Sequence, residues 1–383
     1  MQDLIEKYEN KLVAAGLMDT GTPLLAGLDA DLQWNRNDPA CNILTEVITS
    51  LGVNALLYGP PAEPYRTILE SLCDSPVTAI TPQDCETRTF MHDIPILRQM
   101  HAPDIIAALR RRKTVYIAGH GIVTWGAVSP EQAFIFYSSV CFAALVKFFA
   151  DIWTDTRTGR VTPAQQATFT RVVERLPALA SEPPPLMTGP FTQEDQVYAA
   201  LVEAGRYTVE YGLVDSFFGN LSYRFDNRLY ISQTASSLDE LTGCIDACPL
   251  DGSSCAGLTA SSELTAHQGV LEQTGVQALL HGHPKFSVIC SLLCDRTDCD
   301  RVGQCHILCP HPRQIGDIPI VPGEVGTGPH GLCHTLPPAL QGRRGAIVYG
   351  HGLFTTGQVD FNEAFAGLLE IEQMCLDHYM SQL

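Results

Sequence analysis

The chain has 383 residues, 45% of them apolar and 17% charged, with 31 glycines and 25 prolines scattered along it. This composition excludes wholesale disorder and, at roughly 150 to 200 residues per core, calls for two domains. The formal charge of −18 and basic runs no longer than Arg110-Arg111-Arg112-Lys113 and Arg343-Arg344 exclude a nucleic-acid partner, which needs a basic stripe.

The N-terminus, MQDLIEKYENKLVAAGL, has the pattern of an acidic amphipathic helix and lacks the basic and apolar regions of a signal peptide. The expected setting is the cytoplasm. Fourteen cysteines without a secretion signal then point to reduced thiols or metal ligands and not to a disulfide framework. Val53–Tyr58 reads as a buried strand entering a tight turn, Asp93-Ile94-Pro95-Ile96 follows, and Gly119-His120-Gly121 introduces another strand. After Ser129-Pro130 comes an apolar-periodic helix from Pro130 to Phe149. The most apolar stretch, Ala133 to Trp153, carries Ser138, Ser139, Lys147 and Asp151, so it reads as a buried core helix and not as a membrane span. A further helix is expected from Pro163 to Leu176, and Ser181-Glu182-Pro183-Pro184-Pro185 cannot propagate one.

The pattern then repeats. Val276–Pro284 (VQALLHGHP) matches Val53–Pro61 (VNALLYGPP) at six of nine positions. Asp317-Ile318-Pro319-Ile320 repeats Asp93–Ile96, and Gly350–Gly357 repeats Gly119–Gly126. A helix from Phe361 to Tyr379 follows the second copy, with Asp360 as its N-cap. Self-similarity in the same order, with strands alternating with helices, gives an α/β class. The expected boundaries are 1–156 for the first domain, 157–192 for a helical and proline-rich linker, and 193–383 for the second.

The chemistry concentrates in the second copy. His281 and His283 are two residues apart on an extended segment, which puts both rings on one face. His351 stands between Gly350 and Gly352, where the backbone can approach a metal closely. Three histidines with an open fourth position suit a catalytic metal. Ser261-Ser262-Glu263 precedes them, and Glu263 and His267 share a helical face, which makes Glu263 an acid/base candidate.

The ordered set Gly219-Asn220-Leu221-Ser222, Ser261-Ser262-Glu263 with His267, His281-Gly282-His283-Pro284 and Gly350-His351-Gly352 resembles the class II aldolase/adducin family, which includes fuculose- and rhamnulose-phosphate aldolases and ribulose-phosphate 4-epimerases. The likeness covers nearly the whole C-terminal half. It implies an architecture of two tandem three-layer α/β/α domains. It also implies zinc or another divalent ion on His281, His283 and His351, a metal-stabilised enediolate, and Glu263 as the proton shuttle. Substrate contacts carry over to Asn220, Thr234, Ser261 and Ser262. The family's glycine after the threonine is Ala235 here, which leaves a carboxylate or an unphosphorylated polyol open beside a sugar phosphate. No tyrosine matches the family's proton donor.

At the same positions in the first copy stand Tyr58, Pro60 and His120. One imidazole cannot hold a catalytic zinc, so this copy is expected to be a degenerate duplicate. The resemblance further implies a homo-oligomer with a small-molecule substrate and no membrane partner. The expected reaction is aldolase-type carbon–carbon cleavage of a small hydroxy-carbonyl compound. Epimerisation, decarboxylation, dehydration and a non-catalytic, adducin-like scaffold are the alternatives. Cys294, Cys299, Cys305 and Cys309, with Cys290, His306 and His311 nearby, form a second candidate metal site. Their spacings fit neither the usual zinc pairs nor ferredoxin runs, and free thiols or a redox pair are the alternatives.

Overall fold

The computed structural model describes residues 1–73, 76–214, 218–253, 255–296 and 298–383. The chain divides into two units, Met1–Pro177 and Ala178–Leu383.

In the first unit the strands are β1 (Leu24–Leu28), β2 (Leu32–Trp34), β3 (Ala55–Gly59), β4 (Ala79–Ile80), β5 (Ile94–Leu97), β6 (Thr114–Ile117) and β7 (Gly121–Gly126). They form one sheet in the order β2-β1-β3-β7-β6-β5-β4. Every neighbouring pair is antiparallel except β5 with β6. Side chains alternate across a sheet, and Leu24, Leu56, Val115 and Val123 of one face meet Leu44, Val47, Ile105 and Leu109 of the helices Cys41–Leu51 and Ala102–Leu109. The opposite face carries the helix Pro130–Arg157, 28 residues long. Ser138 and Ser139 are buried along with its apolar residues, as expected of a core helix that is apolar all round. Thr124 Oγ1 on β7 donates to Ala133 O of this helix at 2.8 Å.

The expected linker needs correction. The helix Pro163–Val173, opened by a Thr162/Gln165 capping box, buries Phe169 and Val172. Phe169 meets Phe149 edge-on at 6.0 Å, so this helix is part of the first unit. At the other end of the expected linker, Met187 N donates to Glu203 Oε2 at 2.6 Å and Gly189 N to Asp360 Oδ2 at 2.8 Å, which fastens that segment to the second unit.

The second unit holds β8 (Asn220–Phe225), β9 (Arg228–Ser232), β10 (Ile245–Pro249), β11 (Ala278–Gly282), β12 (Arg313–Ile315), β13 (Ile318–Val321), β14 (Gly345–Val348) and β15 (Gly352–Gly357). Their order is β10-β9-β8-β11-β15-β14-β13-β12. Apart from the additional edge strand β10, order and pairing directions are those of the first unit, with β13 and β14 the parallel pair. The helices Leu264–Thr274 and Leu332–Leu340 cover the face that carries Leu229, Ile231, Leu279, Val348 and Phe354. The helix Phe361–Ser381, whose N-cap Asp360 accepts from Asn362 N at 2.9 Å, covers the other. Thr355 Oγ1 donates to Ala364 O at 2.8 Å, repeating the Thr124–Ala133 bond at the equivalent residues.

Candidate metal centre

β11 delivers His281 from the middle of the sheet and ends at Gly282, so His283 stands one residue beyond the strand, not within it as expected. His351 lies in the turn between β14 and β15, where its N–H donates to Val348 O at 3.0 Å. The three side chains nevertheless converge: a ring nitrogen of each lies within 4.8 Å of the others, and all three residues are buried.

The hydrogen bonds assign tautomers. His281 Nδ1 faces Leu353 O at 3.1 Å. A carbonyl only accepts, so Nδ1 carries the proton and Nε2 keeps its lone pair. That lone pair faces His283 Nε2 at 3.1 Å, close to the roughly 3.3 Å that separates two nitrogens sharing a tetrahedral ion. Burial lowers His281 to about 3, against the opposing pull of Glu263, so its imidazole is neutral at neutral pH. Phe354, its cross-strand neighbour, stacks on it at 3.8 Å and 7°. Phe218 stacks on His283 at 5.4 Å and 20°.

Glu263 occupies the N-cap position of Leu264–Thr274 and is also buried. Its Oε1 lies 3.1 Å from His351 Nε2 and its Oε2 lies 3.7 Å from His281 Nε2. Asn220 Nδ2 donates to Oε2 at 2.9 Å. Burial alone would raise this carboxyl. His281 and His351 nearby, with the hydrogen bonds from His351 and Asn220, outweigh it and hold Glu263 below the ordinary carboxylate range. One turn on, His267 Nδ1 meets Ser222 Oγ at 2.7 Å, and burial lowers this ring to about 4. Asn220 Oδ1 and His267 Nε2 are buried without a hydrogen-bond partner. Three imidazoles around one point, with a carboxylate beside them, are a donor set suited to a divalent cation.

Residues 199–379 match the family described as Class II Aldolase and Adducin N-terminal domain. The C-terminal unit belongs to the class II aldolase/adducin family. Similar solved structures include the L-fuculose-1-phosphate aldolase of Thermus thermophilus, at 23% identity over 50% of this chain and 98% of that one, TM-score 0.38. YgbL of Klebsiella pneumoniae, described as a putative aldolase/epimerase/decarboxylase, matches at 23% identity over 50% and 91%, TM-score 0.39. A sugar-phosphate aldolase of Thermotoga maritima matches at 17% identity over 49% and 94%, TM-score 0.36. No curated protein sequence matches the chain.

Within the aldolase/adducin unit, three of the residues carried over for substrate contact, Thr234, Ser261 and Ser262, fall on two joined segments, and Asn220 lies on β8. Thr234 Oγ1 donates to Ala260 O at 3.0 Å, and an isolated bridge pairs Gln233 with Ala260. Ser261 is buried, with its Oγ accepting from Glu263 N at 3.3 Å, while Ser262 and Thr234 are exposed. Ala235 keeps a left-handed backbone, φ 61°, where the family has glycine. Asn220, carried over as a substrate contact, donates its Nδ2 to the carboxylate of Glu263 at 2.9 Å. Sequence reasoning missed Phe218, Phe354 and the Leu353 carbonyl. The pairing of β11 with β15 would have placed Phe354 opposite His281, but Phe218 carries no such signal.

In the first unit Tyr58 and Pro60 are half-buried and His120 is exposed. Among the described residues, that unit alone assembles no trio of ligand atoms within 4.8 Å. The cysteines Cys294, Cys299, Cys305 and Cys309 share one loop, and no three of their sulfurs lie within that distance of one another.

Proposed function

We propose that the C-terminal unit is a metal-dependent, aldolase-type carbon–carbon lyase acting on a small hydroxy-carbonyl substrate, a sugar phosphate or a related compound. The observation that carries this reading is the Glu263 carboxylate set 3.1 Å from His351 Nε2 among three buried imidazoles. A zinc or similar ion held by His281, His283 and His351 would supply Lewis acidity to a substrate carbonyl and its neighbouring hydroxyl. Glu263 does the proton work. Asn220 ties down its Oε2, so Oε1 is the atom that takes a proton from the substrate and returns it. Phe354 and Phe218 fix the planes of His281 and His283, and burial keeps bulk water from the exchanged proton. Asn220, Thr234, Ser261 and Ser262 are proposed to position the substrate.

On this reading the N-terminal unit is a degenerate tandem duplicate. In support stand the common strand order and the paired bonds of Thr124 to Ala133 and Thr355 to Ala364. A cytoplasmic setting and a homo-oligomeric assembly belong to the same proposal.

The test is a panel of phosphorylated and unphosphorylated hydroxy-carbonyl compounds assayed for cleavage with the full-length protein and with Glu263→Gln. Cleavage by the wild type, reduced about 10²- to 10⁴-fold in the variant at equal metal content, supports a lyase. Inversion at carbon or release of carbon dioxide without cleavage assigns an epimerase or a decarboxylase. No turnover of any compound favours a scaffold.

A further inference from the structure

His283 and His351 come from a connecting segment and a turn, not from within strands, so the sheet alone does not fix them. One short helix is joined to both. The helix Lys285–Leu292 starts two residues after His283, and its N-cap is Pro284, which has no side-chain group to accept from the free N–H groups of the first turn. Glu372, in the helix Phe361–Ser381, supplies the acceptors instead. Its Oε1 accepts from Phe286 N at 2.7 Å, and its Oε2 from Ser287 N and Ser287 Oγ, both at 2.8 Å. Glu372 is 2% exposed, so a buried carboxyl group meets the positive end of the helix dipole. Near the other end of the same helix Ser291 is fully buried. Its Oγ donates to Val288 O at 2.6 Å and accepts from Gly350 N at 2.8 Å, which ties the residue before His351 to this helix.

The first unit shows that the topology does not require this arrangement. Its helix Tyr65–Leu72 takes the corresponding place after β3 and also begins after a proline, Pro64. There the acceptor is local, with Glu63 Oε2 accepting from Thr67 N at 3.3 Å. Eight residues after Ala364 stands Glu372, whereas eight residues after its equivalent Ala133 stands Cys141. A carboxyl group is costly to bury, and it occurs at this position in the copy that gathers three histidines and not in the copy that does not.

We propose that Glu372 and Ser291 are positioning residues for the metal centre. Through the helix Lys285–Leu292, Glu372 fixes the segment that carries His283, and Ser291 fixes the turn that carries His351. The inference rests on the metal-dependent reading above. Each residue acts through the backbone of a ligand's neighbour, so its removal leaves all three imidazoles in the chain and changes how well they converge.

The experiment titrates the full chain, reduced and metal-free, with Co²⁺, whose visible d–d bands report coordination geometry. Only the signal that is absent from His281→Ala/His283→Ala is counted. Glu372→Gln keeps the shape but turns an amide N–H₂ toward backbone donors, and Ser291→Ala removes the acceptor of Gly350 N. Each is expected to weaken Co²⁺ binding about 10-fold or more and to alter the bands. Ser291→Ala, the smaller change, carries the test alone if Glu372→Gln does not fold. Leu201→Ala, at a buried position of the helix Glu194–Glu210, is the control for lost stability and is expected to bind as the wild type does. Wild-type affinity and bands in a folded variant would overturn the role of that residue. An equal loss in Leu201→Ala would reduce both roles to general stability and overturn the inference. Absence of the cobalt signal in the wild type would instead sink the metal centre itself, and this inference with it.

Discussion

A β-carbon built on Gly352 would stand 2.6 Å from His281 Cε1 and 2.5 Å from Gly282 O. The close approach of the start of β15 to the end of β11, its antiparallel neighbour, is therefore what lets His281 and His283 meet His351, in the turn before β15. Gly352→Ala is expected to force the strands apart, at a cost of about 1–3 kcal/mol as for other overpacked sites, and to weaken divalent-metal binding. Chemical denaturation and metal titration of the variant check both. An unchanged metal affinity would mean that this close approach does not set the ligand geometry.

Asn220 is assigned to the carboxylate of Glu263. Asn220→Ala removes a hydrogen bond to a buried charged group, so a stability loss of about 1.5–3 kcal/mol is expected with the metal content intact. Loss of metal without loss of stability would place Asn220 elsewhere in the site.

Ala235 is in the left-handed region at φ 61°, which costs a residue with a β-carbon about 1–2 kcal/mol. Part of that cost is offset because glycine loses more freedom on folding. Ala235→Gly is expected to raise the stability of the C-terminal unit by up to about 1 kcal/mol, read as a shift in denaturation midpoint. A lowered midpoint would contradict the strained backbone.

Much of the architecture is legible in the sequence because it is written twice. The recurrence of Val53–Pro61 as Val276–Pro284 locates β3 and β11, and Gly119–Gly126 with Gly350–Gly357 locates β7 and β15. His281 and His351 are legible for the same reason, since they stand where the first copy has Tyr58 and His120. What the sequence hides is tertiary. Phe169 looks like part of a polar connecting segment until it meets Phe149. Nothing local marks Asn220, on β8, as the partner of a carboxylate 43 positions away.

Asp84 offers a pH test in the first unit. It caps the helix Cys85–Met91, accepting from Thr87 N at 2.8 Å, and burial raises it to about 6 despite the Thr87 hydrogen bonds. Because its folded value lies above the ordinary 3.8, the folded state favours the protonated acid. This contribution is fully present below about pH 4 and is lost as pH rises through about 6, with an amplitude of order 3 kcal/mol. Asp84→Asn keeps a capping side chain, so its advantage over the wild type should grow between pH 4 and 7 in thermal unfolding of the N-terminal unit. A constant difference across that range would refute the shift.

The central claim is tested most directly by elemental analysis of metal per chain, for wild type and His281→Ala/His283→Ala purified under reducing conditions. The variant should retain its fold by circular dichroism and carry one divalent ion fewer than the wild type. Equal metal in the two proteins, or none in either after exposure to zinc, would contradict a three-histidine metal centre.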